Sequence, residues 1–139
     1  MKIQKNYIEL QKFDNAATAY FIKNGYWDSE TKKFTDKEST KLVSNLKNIV
    51  KQAGAHFEEY REKYEELNID HCAEDEKTNI ILREPNGDYK FTKDGLKKRN
   101  KARKELDLSS VELHARITDG ELALTDEEKE AFSGLVIPS

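Results

Sequence analysis

An apolar stripe is the main pattern along this chain, and it runs from Leu42 to Leu67 with its members three or four residues apart. That spacing places side chains on one face of an α-helix. A helix over 36–67 would be about 45 Å long at 1.5 Å per residue. Thr35 to Glu38 fits a capping box in front of it. The stripe consists of Leu42, Leu46, Ile49, Ala53, Phe57, Tyr60, Tyr64 and Leu67.

The stripe does not keep the seven-residue repeat of a coiled coil. After Ala53 a strict count would place His56 and Lys63 in the seam, whereas the apolar residues are the next ones along. The pattern therefore follows the repeat of a straight helix packed within a domain. The aromatic members at the end of the stripe are candidates for contact with a neighbour: Phe57, Tyr60 and Tyr64.

Helical spacing also predicts a first helix over 3–23, which Asn24-Gly25 would end because both residues tolerate the left-handed conformation of a helix C-cap. Together 3–67 would form a long antiparallel helical hairpin. The polar loop 28–33 would join the two helices.

The second half of the chain, 78–139, mixes short elements. Asn86-Gly87 supplies the positive φ angles of a β-hairpin turn, and Thr92 and Thr125 fit helix N-caps. The predicted elements are a loop over 68–77, a β-hairpin over 79–91, a basic helix over 93–106, a strand over 110–117, a turn at Asp119-Gly120, a short helix from Asp126 to Phe132 and an extended C-terminal arm. The hairpin and the strand would pair as a small sheet. The fold class is mainly α with a small β component, in a single elongated domain over 1–139.

Composition limits the core and the class of partner. Charged residues make up 37% of the chain and hydrophobic residues 36%, which indicates a small or elongated core. The net charge of −3 is too mild to favour nucleic acid or an anionic membrane as a global partner. No apolar run approaches the length of a membrane span. A lone cysteine, Cys72, favours a protein made in a reducing cytosol.

A basic cluster is the densest charge feature. Residues 90–104 hold eight lysines and arginines, with Asp94 opposing them. One hypothesis is a contact with the phosphates of nucleic acid or with another anionic partner. The other is a solvated helix face, which we favour because no aromatic residue interleaves with 97–104 to stack on bases. The candidate contact residues are Lys97, Lys98, Lys101 and Lys104.

Metal, cofactor and catalytic chemistry find no motif in the sequence. The histidines and Cys72 lack the spacing of zinc ligands, so we expect no metal and no cofactor. His71-Cys72 has acidic neighbours at 74–76, and a negative environment disfavours an activated thiolate. No catalytic residue is assigned.

Five segments follow one another in a recognisable order: Leu42 to Phe57, Phe57 to Tyr64, Asn86 to Phe91, Ser110 to Leu113 and Gly134 to Ile137. In this order they resemble an uncharacterised family of small bacteriophage proteins, known only as a domain of unknown function. The resemblance covers roughly 100 of the 139 residues, and the insertion Asn15 to Phe34 departs from the family pattern. It implies a phage origin and a small helical protein made in the infected bacterium, and it transfers no site residues.

The leading functional hypothesis is a non-enzymatic phage protein that acts through protein–protein contacts, as a virion structural or assembly component. Its partners would be other phage proteins or a second copy, without a membrane, in the cytoplasm of the infected bacterium or in the virion. The apolar tail Leu135, Val136 and Ile137 would dock, either around the chain's own helix pair or on a neighbour. One alternative is an inhibitor of a host protein in which the acidic segments 58–66 and 74–76 mimic phosphates. Another, less favoured, is a nucleic-acid-binding module using 90–104.

Overall fold

The computed structural model describes residues 1–119 and 124–139 of the chain. They are mainly α-helical with a small β component, which confirms the predicted fold class. In chain order the elements are β1 Lys2–Asn6, α1 Tyr7–Lys23, β2 Trp27–Asp28, β3 Lys33–Phe34, α2 Lys41–His71, α3 Lys93–Asp107, β4 Ser110–His114 and α4 Asp126–Phe132.

The fold divides into two compact units. Unit 1 comprises Met1–His56 and Ser110–Ser139, and unit 2 comprises Phe57–Ser109. Helix α2 contributes its first part to unit 1 and its second part to unit 2. The division into units does not test the prediction of a single elongated domain over 1–139, which remains a prediction.

The N-terminus corrects one sequence prediction, because the first residues of the predicted helix 3–23 form strand β1. Asn6 has extended backbone angles and caps α1. Its side-chain oxygen accepts the Glu9 N–H at 2.8 Å, and the Glu9 carboxylate accepts the Asn6 N–H at 3.1 Å. This capping box requires the preceding chain to be extended, so the helix begins at Tyr7.

Helix α2 has about the predicted length but is displaced along the chain, from 36–67 to Lys41–His71. Thr35 does not cap it, because the Thr35 hydroxyl donates to the Gly25 carbonyl at 2.7 Å. Thr40 lies directly before the helix, and its hydroxyl accepts the Val43 N–H at 3.2 Å. The predicted capping box at Thr35 to Glu38 is therefore wrong.

Strand β4 pairs antiparallel with β1, in a register from Lys2 opposite His114 to Asn6 opposite Ser110. The predicted pairing of 110–117 with the hairpin 79–91 is wrong. The alternation of apolar and polar residues explains why β4 pairs with β1. In this register Ile3 lies opposite the fully buried Leu113, so both apolar side chains lie on one face of the two strands.

The chain does reverse at the predicted Asn86-Gly87 turn, where Gly87 has a φ of +91°. The reversal is held by a bridge between Arg83 and Tyr89 rather than by regular strands, and a second bridge joins Ile81 to Glu74 in the preceding loop. The predicted hairpin 79–91 is present in this reduced form.

Both later helices begin where the sequence predicts. The Thr92 hydroxyl accepts the Gly95 N–H at 3.0 Å, and Thr125 forms a full capping box with Glu128. Gly120, part of the predicted turn at Asp119-Gly120, lies outside the described residues.

The apolar core lies in unit 1. It combines one face of α1, the buried face of the first part of α2, Leu113 of β4 and the chain from α4 to the C-terminus. In the β2–β3 hairpin, Trp27 packs edge-on against Phe34 at 4.9 Å between ring centroids. The largest fully buried side chains are Phe13, Phe132, Leu10, Leu42, Leu46, Ile49, Leu113, Val43 and Val136.

Candidate interaction surfaces

Unit 2 is built on an antiparallel helix pair, formed by 57–71 of α2 and by α3. No apolar side chain in 57–109 is fully buried, whereas Asn68 is only 7% exposed. The contacts between the two helices are therefore carried largely by polar and aromatic groups.

These contacts repeat at every turn of the helix pair. The Tyr60 hydroxyl donates to the Asp107 carboxylate at 2.5 Å. One turn further along α2, the Tyr64 hydroxyl accepts from the Arg99 guanidinium at 2.6 Å, and the Asn68 side-chain oxygen accepts from the same guanidinium at 3.2 Å. Positions that advance along α2 from Tyr60 to Asn68 thus meet positions that go back along α3 from Asp107 to Arg99, which is the order of an antiparallel pair.

The arginines of α3 also lie over aromatic rings. The Arg99 guanidinium lies 4.9 Å from the centroid of Phe91 and 5.6 Å from that of Tyr64. Arg103 lies 5.0 Å from the Tyr64 centroid, and the rings of Tyr60 and Tyr64 are stacked. Such cation–ring contacts contribute about 0.5–1 kcal/mol each at exposed sites. The sequence did not predict this role for the arginines, although their four-residue spacing places them on one face.

The predicted aromatic contact residues are therefore used within the chain. Tyr60 and Tyr64 pack against α3, and Phe57 is half-buried at the start of unit 2. Burial raises the pKa of the Tyr60 hydroxyl, and its hydrogen bond to the Asp107 carboxylate raises that pKa further. Tyr60 therefore remains a protonated donor at neutral pH.

The exposed side of α3 carries the lysine face, defined here as Lys93, Lys97, Lys101 and Lys104. At 100° per residue these four positions lie within about 80° of one another, on the side turned away from α2. All four are exposed, and none forms an ion pair among the described residues. Of the candidate lysines, Lys98 lies off this face and pairs with Asp94 at 3.1 Å.

The exposed side of α2 in unit 2 carries the glutamate face, defined here as Glu58, Glu62 and Glu66. These residues are four apart, exposed, and on the opposite side of the helix from Tyr60, Tyr64 and Asn68. Because the inner faces of the two helices contact each other, the two charged faces lie on opposite sides of the pair. The sequence identified both charged segments but not their segregation.

The apolar tail docks on its own unit rather than standing free. Leu135, Val136 and Ile137 are 2%, 0% and 7% exposed, and their N–H groups surround the Phe132 carbonyl oxygen at 3.1–3.4 Å. The Thr118 N–H donates to the Val136 carbonyl at 2.9 Å. These contacts explain the burial of the tail within unit 1.

An ion pair joins α4 to α1 near the tail. The Lys23 ammonium donates to both Glu128 carboxylate oxygens, at 3.0 and 3.2 Å. Burial would raise the pKa of Glu128, but hydrogen bonds from Thr125 and Lys23 outweigh it and lower that pKa. Beside this pair a groove of about 820 Å³ lies between α1 and α4, with Ala16 and Ala19 in its lining and charges of both signs around it.

Within 1–119 and 124–139, no group of three or more His, Cys, Asp or Glu side chains could hold a metal ion. Cys72 is half-buried, with its thiol 3.4 Å from the Ile69 carbonyl. None of the helices in this part of the chain is long and apolar enough to cross a membrane.

Comparison of the chain with protein-family models, with curated proteins and with solved structures gave no match. The case for a function therefore rests on the surfaces described above.

Proposed function

We propose that this chain is a non-enzymatic bacteriophage protein that acts through protein–protein contacts, as a structural or assembly component of the virion. The observation that carries the proposal is the pair of charged faces on the helix pair of unit 2. Both are exposed and regularly spaced on well-formed helices, and their charges are not neutralised by ion pairs within the described part of the chain.

The internal use of the predicted apolar contact residues supports charged contacts over apolar ones at those positions. Tyr60 and Tyr64 are covered by α3, and the tail 135–137 is buried in unit 1. Rows of like charge on a surface raise association rates and suppress wrong partners more than they add affinity. Such contacts suit an assembly component that must find its place in the infected cell.

The test combines mass spectrometry of purified virions with affinity capture from infected cells. We expect the protein at a fixed copy number per virion, together with capture of other phage proteins by the tagged chain. Lys97→Glu/Lys101→Glu should weaken that capture. The matched control is Lys41→Glu/Lys51→Glu, which reverses two exposed lysines of α2 in unit 1 and changes net charge equally. Absence from virions together with no captured phage protein would refute the proposal.

The glutamate face favours one second candidate, an inhibitor of a host nucleic-acid-binding protein. Three exposed carboxylates at four-residue steps repeat about every 6 Å along the helix. Such a row can imitate a line of phosphates. In that case the protein would displace DNA from a captured host protein, and Glu58→Lys/Glu62→Lys would abolish the displacement.

A further inference from the structure

The two charged faces of unit 2 match each other in spacing. Lys93, Lys97 and Lys101 follow four-residue steps along α3, and the three residues of the glutamate face follow the same steps along α2. Each step advances about 6 Å along a helix. A lysine row and a glutamate row of this kind can therefore pair in register, residue against residue.

The two faces of one copy cannot meet each other, because they lie on opposite sides of the same helix pair. The Tyr60–Asp107 and Tyr64–Arg99 hydrogen bonds hold the inner faces together and direct the charged rows outward. Each row therefore requires a partner outside its own unit 2. A second copy of the chain offers the opposite row, with the same spacing.

We propose that the lysine face of one copy binds the glutamate face of a second copy, head to tail. This inference rests on the proposed function, since it names one partner of the same kind of contact. The interface joins two different patches, so every bound pair leaves one lysine face and one glutamate face free. Association of this type continues into a filament or closes into a ring.

The charge of unit 2 favours this partner over nucleic acid. Acidic residues outnumber lysines and arginines in 57–109, so a long polyanion meets repulsion from the rest of the unit. The lysine face also carries no aromatic side chain on which bases could stack. The two arginines of α3, Arg99 and Arg103, lie against the Tyr64 ring.

Exposed ion pairs are individually weak, so the association should be weak and strongly sensitive to salt. The Debye length falls from about 10 Å at 0.1 M salt to about 3 Å at 1 M. We therefore expect the dissociation constant to rise by about tenfold or more over that range. A contact formed by apolar groups would not weaken in this way.

The experiment is sedimentation velocity of the full chain over a range of protein concentrations at both salt concentrations. The variants are Lys97→Glu/Lys101→Glu and Glu58→Lys/Glu62→Lys, with Lys41→Glu/Lys51→Glu as the control. Circular dichroism checks that each variant keeps its helices. The unmodified chain and the control should associate at low salt, whereas each face variant alone should stay monomeric.

The decisive arm mixes the two face variants in equal amounts. The first variant keeps an unmodified glutamate face and the second keeps an unmodified lysine face, so the mixture should form pairs although neither variant associates alone. An unmodified chain that stays monomeric throughout overturns the proposal, as do face variants that associate like the unmodified chain. Binding of a fluorescent oligonucleotide that is lost in Lys97→Glu/Lys101→Glu, without self-association, also overturns it and assigns the lysine face to nucleic acid.

The outcome is separable from that of the proposed function. A monomeric chain that still captures other phage proteins through the lysine face would leave the proposed function standing and remove the second copy as partner. A chain that self-associates as described but is absent from virions and captures no phage protein would support the second copy as partner and refute the proposed function.

Discussion

Replacing Arg99 by methionine should destabilise unit 2 by about 3 kcal/mol, because Arg99 is the centre of its polar interface. The substitution removes two charge-assisted hydrogen bonds, to Tyr64 at 2.6 Å and Asn68 at 3.2 Å. Hydrogen bonds to charged groups contribute about 1.5–3 kcal/mol each, and the sum is reduced because the methionine stem keeps part of the packing. Asn68, only 7% exposed, would lose the donor to its side-chain oxygen.

The loss of about 3 kcal/mol includes the cation–ring contacts of Arg99. The guanidinium lies over Phe91 and Tyr64, and each such contact contributes about 0.5–1 kcal/mol. The matched control is Lys101→Met, two residues along the same helix but on its exposed side. It removes a charge from the lysine face and no internal contact, so it should change stability by no more than about 0.5 kcal/mol.

Amide hydrogen exchange along α3 is the appropriate assay, since it reports on unit 2 locally. A loss of about 3 kcal/mol corresponds to a fall of roughly a hundredfold in protection, at 1.4 kcal/mol for each factor of ten. Equal protection in Arg99→Met and Lys101→Met would refute the reasoning, because α3 would then be held by something other than its inner polar contacts.

Two further predictions concern backbone space and buried charge. Gly95→Ala should destabilise the chain, because the added Cβ would lie 2.5 Å from the His71 carbonyl oxygen. In Gly54→Ala the added Cβ meets nothing within 4 Å, so this substitution should stabilise α2 by about 1 kcal/mol. Urea denaturation should therefore show changes of opposite sign in the free energy of unfolding, and changes of equal sign would contradict the packing described. Asp14→Asn should raise Tm at pH 7, because burial raises the pKa of Asp14 and the folded state then favours the protonated group. The contribution of Asp14 to stability is complete below its ordinary pKa of 3.8 and is lost as pH rises through the folded value, so the Tm difference should vanish in acid, and a pH-independent difference would point to another cause.

Features decided by near neighbours in the chain were predictable from sequence. Thr92 and Thr125 cap helices because their hydroxyl groups accept from an N–H three residues on, a contact that requires only local geometry. The periodicity of the stripe likewise depends only on spacing, and Leu42, Leu46, Ile49 and Ala53 are all buried.

Features decided by distant parts of the chain were not predictable in this way. Residues 2–6 carry weak signals for either helix or strand, and their pairing with 110–114 settles the choice. Thr35 had the sequence of a cap, but the Gly25 carbonyl competed for its hydroxyl. Tertiary contacts override local propensity at such positions.

The candidate contact residues show the same difference between features set by local spacing and features set by distant contacts. Lys97, Lys101 and Lys104 are exposed on one face, as their spacing allows. Lys98 is paired with Asp94, so a count of basic residues overstates the number of positive charges that this face offers to a partner. Tyr60 and Tyr64 have internal partners, which the sequence pattern could not identify because Arg99 and Asp107 lie more than thirty residues away.

The pairing of β1 with β4 has a consequence for how the chain folds. The two strands that close unit 1 are separated in sequence by the whole of unit 2. If the helix pair forms first, the Tyr60–Asp107 contact brings the ends of the inserted unit together and removes about half of the loop that the strands must otherwise close. Halving a loop lowers its closure cost by only about 0.6 kcal/mol, yet that saving falls on a pairing between strands more than 100 residues apart in sequence. Folding rate should therefore respond to substitutions in unit 2 even where the final stability of unit 1 does not.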